Sequence, residues 1–177
     1  RPYAIAKIAG IELCWALNRQ HHTRFIAAMP NNLYGPGDNY DLQNSHVLPA
    51  LIRKMHEAKT RGDQQVTIWG TGTPRREFVY SDDMADACLL LMQLPDDKFE
   101  QVMNPDLENG HPPLINIGYG KDLTIRELAE MIIDIVGYKG GLAFDPSKPD
   151  GTPRKILDVT RIEKLGWRPK TGLAEGI

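Results

Sequence analysis

Cysteine is nearly missing from this sequence of 177 residues: there are two, Cys14 and Cys88. Neither lies in a C-x-x-C motif or beside a pair of histidines, so neither a disulfide scaffold nor a zinc ribbon is expected. A reducing cytoplasm is the expected setting. Long apolar runs are missing too. The longest spans residues 87–92, against the ~20 residues that a bilayer helix requires. No apolar stretch follows a basic start, so no secretory leader is read at the N-terminus. Charge of one sign is not in excess. Lys and Arg total 21 and Asp and Glu 23, a formal net charge of −2, which gives no footprint for nucleic acid or an anionic membrane. There is no internal repeat and no low-complexity tract. The expectation is a soluble globular chain of one domain or slightly more.

What is present alternates between two periods. Residues 2–18 read as one helix, with Ile5, Ile8, Ile11, Leu13, Trp15 and Leu17 on more than one side of the wheel. A helix apolar nearly all round is expected to be buried on both sides, against its own core and against either a second subunit or a missing part of the same chain. Residues 25–29 read as a buried strand stopped by Pro30, and residues 31–44 as a long polar loop. Residues 47–58 carry a helical repeat that ends before Gly62. Residues 66–69 and 78–80 are strand candidates, with Gly70 and Gly72 in a tight turn between them. Ser81 is the expected N-cap of the next helix, with Asp82 and Asp83 suited to its positive end. Residues 101–113 read as a surface loop and residues 114–117 as a strand. Thr124 and Glu127 have capping-box spacing before a helix that Gly137 ends. Residues 142–144 read as a last strand and residues 159–165 as a final short helix closed by Gly166. Short strands alternating with helices define an α/β class.

Tyr3-Ala4-Ile5-Ala6-Lys7 is the first constellation with chemical content. Tyr and Lys at i and i+4 share a helical face. An ammonium held near a phenol favours the phenolate, and such a Tyr can pass a proton to or from a carbonyl or hydroxyl. That exchange is what reversible hydride transfer requires. By itself, Y-x-x-x-K also describes a surface Tyr beside a surface Lys.

Other segments agree with the chemical reading. The Tyr3 helix, Asn31-Asn32-Leu33-Tyr34-Gly35-Pro36, Arg76-Glu77-Phe78-Val79-Tyr80-Ser81-Asp82-Asp83-Met84-Ala85 and the closing Leu165-Gly166-Trp167 resemble extended short-chain dehydrogenases/reductases. Residues 38–53, 69–78 and 147–155 are more specific, and resemble the GDP-L-fucose synthase branch of that family. The likeness runs over essentially the whole chain. It implies the last part of a Rossmann-type parallel sheet plus a small α/β substrate-binding domain. Residues 1–33 would hold the catalytic helix and following strand of the dinucleotide-binding domain. Residues 34–177 would be mainly substrate-binding, with segments returning to the Rossmann domain. The implied activity is NADPH-dependent conversion of GDP-4-keto-6-deoxy-D-mannose to GDP-L-fucose, by epimerisation at C3 and C5 and then reduction of the C4 ketone.

The resemblance also assigns residues. Tyr3, Lys7 and His46 are the implied catalytic set, His46 as an acid in epimerisation and a cofactor contact. From its spacing alone His46 reads as a helix cap or a solvated side chain. Protonating carbon calls for a group that starts near neutral, and His is that side chain. Lys7, Pro30, Asn31, Asn32, Leu33 and His46 are the implied cofactor residues. Asn32, Lys54, Trp69, Arg76 and Lys155 are the implied substrate residues, Arg76 and Lys155 for the diphosphate because a guanidinium fork and an ammonium both suit phosphate oxygens. Trp69 reads equally as a stacking platform or a core filler, and Arg76 and Lys155 also read as surface ion-pair residues. The other histidines, His21, His22, His56 and His111, lack such context and read as surface. Cys14 and Cys88 read as small buried hydrophobes. A homodimer through the Tyr3 helix is the implied assembly, with no nucleic-acid or membrane partner and no metal.

One departure is large. Members of the family begin with a Gly-rich turn that cradles the cofactor pyrophosphate at a helix N-terminus. No strand, Gly-rich turn and helix stand in that order here, and the Ser and Cys supplied by that half have no counterpart. The chain therefore reads as the C-terminal part of such an enzyme, its extreme C-terminus also clipped. NADP(H) would be bound mostly by the N-terminal half, and the fragment alone would be inactive. Two other readings stay open on the residues: another nucleotide-sugar epimerase or dehydratase, and a non-catalytic nucleotide-sugar-binding module.

Overall fold

The computed structural model describes residues 2–108, 110, 112 and 114–177. In chain order the elements are α1 (Pro2–His21), β1 (Ala27–Pro30), β2 (Asn32–Tyr34), α2 (Val47–Arg61), β3 (Gln65–Trp69), β4 (Arg75–Arg76), β5 (Phe78–Tyr80) and α3 (Ser81–Met92). There follow α4 (Asp96–Glu108), β6 (Leu114–Ile117), β7 (Leu123–Thr124), α5 (Ile125–Val136), β8 (Gly141–Asp145), β9 (Arg154–Lys155), α6 (Thr160–Lys164) and α7 (Leu173–Gly176). The α/β class read from the sequence is what the structure has. Parallel pairing dominates: β1 with β6, β2 with β5, β3 with β8 and β4 with β9, while β7 runs antiparallel to β4.

Two hydrophobic cores form around these pairs. In the larger one, Leu48, Leu51, Met55 and Ala58 recur at helical spacing on α2 and meet Leu128, Ala129 and Ile132 of α5. Strand β3 alternates strictly, with Val66 and Ile68 inward and Gln65, Thr67 and Trp69 outward. That alternation turns the Trp69 ring away from the core. The second core joins Ile115 and Ile117 of β6 to Ala87 and Leu91 of α3, Val102 of α4, Ile162 of α6 and Trp167. The capping box forms as read: Thr124 Oγ1 accepts from the Glu127 amide at 3.0 Å, and Glu127 Oε2 accepts from the Thr124 amide at 2.7 Å. Gly62 and Gly137 end α2 and α5 in the left-handed region.

Several sequence expectations need correction. Residues 101–108 continue α4 rather than form a loop. Pro105 suggested a break, but Asp96 and Asp97 favour the helix start, and Val102 and Met103 are buried in the molecule. The remaining loop positions Asn109, His111 and Pro113 lie outside the described residues. Residues 32–34, read as loop, form β2 because Leu33 and Tyr34 pair with Val79 and Tyr80. Gly70 and Gly72 both take positive φ between β3 and β5, and those strands pair with other partners, with β4 between them. Ser81 is already helical, and Tyr80 occupies the N-cap. Asp83 is buried and accepts from the Lys170 and Thr171 amides at 3.1 and 2.9 Å. Helix α1 is not buried on two sides; Tyr3, Ile5, Ile8 and Leu13 are all exposed, and only Asn18 is buried. Cys14 and Cys88 are free and half-buried.

Candidate functional site

A cavity of about 320 Å³ opens between the N-terminal half of α2, the end of β3 and the loop after β8. Lys54, Trp69 and Arg76 all line it, so the structure brings together three of the residues assigned to substrate. Trp69 is 65% exposed, which removes the core-filling alternative. The Lys54 ammonium lies 5.5 Å from the Trp69 ring centroid, and that of Lys148 lies 5.6 Å from it. An exposed indole flanked by two cations offers a flat face and positive charge in one place.

Arg76 is held for the cavity by the backbone. Its Nη1 donates to the Thr152 carbonyl at 2.6 Å and to the Arg75 carbonyl at 2.7 Å. No ion pair links Arg76 to a carboxylate among the described residues, which leaves the rest of the fork for an anion. Gly151 lies against the guanidinium: a Cβ there would come within 2.7 Å of Arg76 Nη2 and would displace the end of that side chain. The neighbouring Asp150 accepts from the Thr71 amide at 2.9 Å and the Thr71 hydroxyl at 2.7 Å, pinning the 145–153 loop to the end of β3. Those bonds hold the Asp150 carboxyl below its ordinary range, the Thr71 hydroxyl first. Lys155 is exposed, stands in register with Arg76 across β9 and β4, and lies outside the cavity lining.

Tyr3 and Lys7 sit on α1, apart from this cavity lining, with the Lys7 ammonium 5.5 Å from the Tyr3 ring centroid. The shared helical face read from the sequence is therefore real. His46 is exposed at the N-cap position of α2 and its side chain makes no capping bond. Its neighbours Ser45 and Val47 line the cavity, and Ser45 Oγ is buried without a partner. His21, His22 and His56 are exposed.

The segment from Pro30 to Leu33 divides in two. Asn31 is buried, donates from Nδ2 to Glu77 and accepts from the Asn32 amide at 2.9 Å, so its polar atoms are already engaged. Asn32 Nδ2 donates to the Glu77 carbonyl at 2.8 Å. Leu33 remains 40% exposed. Glu77, which sequence reasoning passed over, is fully buried and also accepts from the Gly120 and Leu157 amides at 2.6 and 3.0 Å. It ties the segment after β1 to the strand after Arg76. Lys148, Asp150 and Asp122 were missed as well. No local pattern marks Asp122, whose arginine partners lie 47 and 32 residues away in sequence.

The sequence model of the NAD dependent epimerase/dehydratase family matches residues 1–105. This chain belongs to that family. Within it, the chain is 53% identical over 178 aligned residues to GDP-L-fucose synthase of Escherichia coli (strain K12), covering 99% of this chain and 53% of that protein. It is similar in fold to a GDP-6-OMe-4-keto-L-xylo-heptose reductase from C. jejuni, with TM-score 0.87, 38% identity, and 97% of this chain and 57% of that chain covered. A GDP-L-fucose synthetase from Naegleria fowleri bound to NADP matches with TM-score 0.80 and 26% identity over 98% of this chain and 52% of that chain. The chain spans about half the length of the curated relatives it matches.

Proposed function

We propose that this chain carries the nucleotide-sugar site and the Tyr–Lys pair of an NADPH-dependent epimerase/reductase that converts GDP-4-keto-6-deoxy-D-mannose to GDP-L-fucose. The observation that carries the reading is the cavity in which Lys54, Trp69 and Arg76 converge. The 53% identity to a GDP-L-fucose synthase supports the choice of substrate class. Trp69 offers its open face to the guanine or ribose, and Arg76 and Lys155 bind the diphosphate as fork and point charge. Tyr3 delivers a proton to the C4 oxygen as the ketone becomes an alcohol, with the Lys7 ammonium 5.5 Å from its ring centroid on the same helical face. His46, with no capping bond to hold it, donates a proton to carbon during epimerisation.

NADP(H) is the proposed cofactor, and when bound it supplies the hydride for ketone reduction. Tyr3, Lys7 and Leu33, all exposed, fit its nicotinamide end together with Pro30, Asn32 and His46. Asn31 fits only as support, because its side chain is committed to Glu77. Its pyrophosphate belongs to a Gly-rich turn outside this chain. Residues 1–33 are assigned to the dinucleotide-binding domain and residues 34–177 mainly to the substrate domain, with β6 returning to pair with β1. The open apolar face of α1 is the proposed contact with a second copy. A cytoplasmic setting accords with two free cysteines. No helix among the described residues is long and apolar enough to cross a membrane. Competition binding separates this reading from other nucleotide-sugar enzymes: GDP-mannose should displace a fluorescent GDP probe, while UDP-glucose and dTDP-glucose should not. Equal displacement by all three would overturn the GDP assignment.

A further inference from the structure

Strands β4 and β9 are only two residues long, yet they bring Arg76 and Lys155 side by side in parallel register. Like charges directly opposite each other across a strand pair are destabilising. So short a ladder contributes few backbone bonds against that repulsion, the Arg75 amide to the Pro153 carbonyl at 2.8 Å among them. A second register pair, Arg75 with Arg154, adds two more cations on the opposite face.

Asp122 answers the second pair directly and, by tying the two strands together, offsets the first. Its Oδ1 accepts from Arg75 Nε at 3.0 Å and its Oδ2 from Arg154 Nε at 2.5 Å, one oxygen for each strand. Arg75 Nη2 also donates to the Asp122 carbonyl at 3.1 Å. The Asp122 side chain is only 6% accessible, whereas those of Arg75 and Arg154 are 38% and 61% accessible. Asp122 immediately precedes β7, which pairs antiparallel with β4 through Leu123 and Arg76. The acid is therefore fixed to the same small sheet it clamps. A slip of β9 by one residue would turn Lys155 to the Asp122 face and take it from beside Arg76.

We propose that Asp122 is a positioning residue of the nucleotide-sugar site: by clamping Arg75 and Arg154 it holds Arg76 and Lys155 together for a diphosphate. The proposal rests on reading the cavity as a GDP-sugar site. Asp122 does not touch the ligand and acts through its neighbours.

The test is a double-mutant cycle on the full-length enzyme, with GDP as the calorimetric probe and NADPH binding as a check on folding. Asp122→Asn should weaken GDP roughly tenfold, the size of losing one charge-assisted contact, and leave NADPH affinity unchanged. In the Arg76→Ala/Lys155→Ala background the same substitution should cost nothing further, because the residues it positions are gone. An equal loss in both backgrounds would mean a general structural role and would overturn the proposal. So would unchanged GDP binding by Asp122→Asn while Arg76→Ala still weakens it. If Arg76→Ala/Lys155→Ala itself leaves GDP binding intact, the reading of the site fails instead. If Asp122→Asn does not fold, Arg154→Gln decides, since it removes only the exposed arm of the clamp. GDP weakened severalfold supports the clamp, and unchanged affinity overturns it.

Discussion

Tyr3 stands at the start of α1, 76% exposed, with Lys7 one turn along the same face. The hydroxyl is the part of Tyr3 that the proposed proton transfer uses, and the ring supplies only surface. Tyr3→Phe in the full-length enzyme should therefore abolish ketone reduction and leave NADPH binding nearly intact, read by NADPH absorbance in single turnover and by fluorescence titration. Near-normal reduction would remove Tyr3 from the mechanism. Two other residues add to the pH dependence of stability, one at each end of the range. Arg154 first, and then Arg75, holds the Asp122 carboxyl below its ordinary 3.8. The stability this contributes is whole above about pH 4 and is lost as pH falls through the lower folded value. Burial, with the charge of Asp83 adding, pushes the Tyr34 phenol up from 10.0 to about 12. Below about pH 10 that phenol is neutral whether the chain is folded or not. Above it the unfolded chain ionises first, so stability declines until the folded phenol titrates as well. Melting temperature against pH should fall at both ends, with Asp122→Asn flattening the acid arm and Tyr34→Phe the alkaline one. Arms unchanged in the variants would contradict these assignments.

Among the elements, α5 was fully legible, because Thr124, Glu127 and Gly137 encode both of its ends and local chemistry decided them. So were α2 and β3, where one apolar period holds from end to end. Strands β2, β4 and β9 were not legible. Two or three residues carry no period, and their pairing comes from strands more than 40 residues away. The candidate site divides along the same line. Tyr3 with Lys7 is local, i to i+4, and spacing was enough to find it. The meeting of Lys54, Trp69 and Arg76 comes from three elements, and the family resemblance, not spacing, pointed to it. The buried Glu77 was invisible because its partners at Asn31, Gly120 and Leu157 are distant in sequence. Helix α1 is the element whose context differs most from expectation. Its apolar residues Ile5, Ile8 and Leu13 lie open, and exposed apolar groups gathered on one helix suit an interaction surface. Pairing of that helix with its copy should make the full-length enzyme a dimer at micromolar concentration in sedimentation velocity. A monomer there would contradict the assignment.

At the scale of the molecule, two cores serve two tasks. The core of α2, α5, β3 and β8 backs the cavity lined by Lys54, Trp69 and Arg76, while the core of β6, α3, α4 and α6 lies beside β1, which pairs with β6. Glu77 and the paired strands β2 and β5 connect them. Binding of the sugar nucleotide and proton transfer are thus proposed for this chain, and anchoring of the cofactor pyrophosphate for a preceding half. The most direct measurement of that account is turnover of GDP-4-keto-6-deoxy-D-mannose with NADPH in deuterated water, by the full-length enzyme and with His46→Ala alongside. The account predicts GDP-L-fucose as product, one NADPH oxidised per sugar and deuterium at both C3 and C5, with His46→Ala losing that deuterium. NADPH oxidation with no deuterium at C3 or C5 would mark a simple reductase, and no oxidation at all would exclude this substrate.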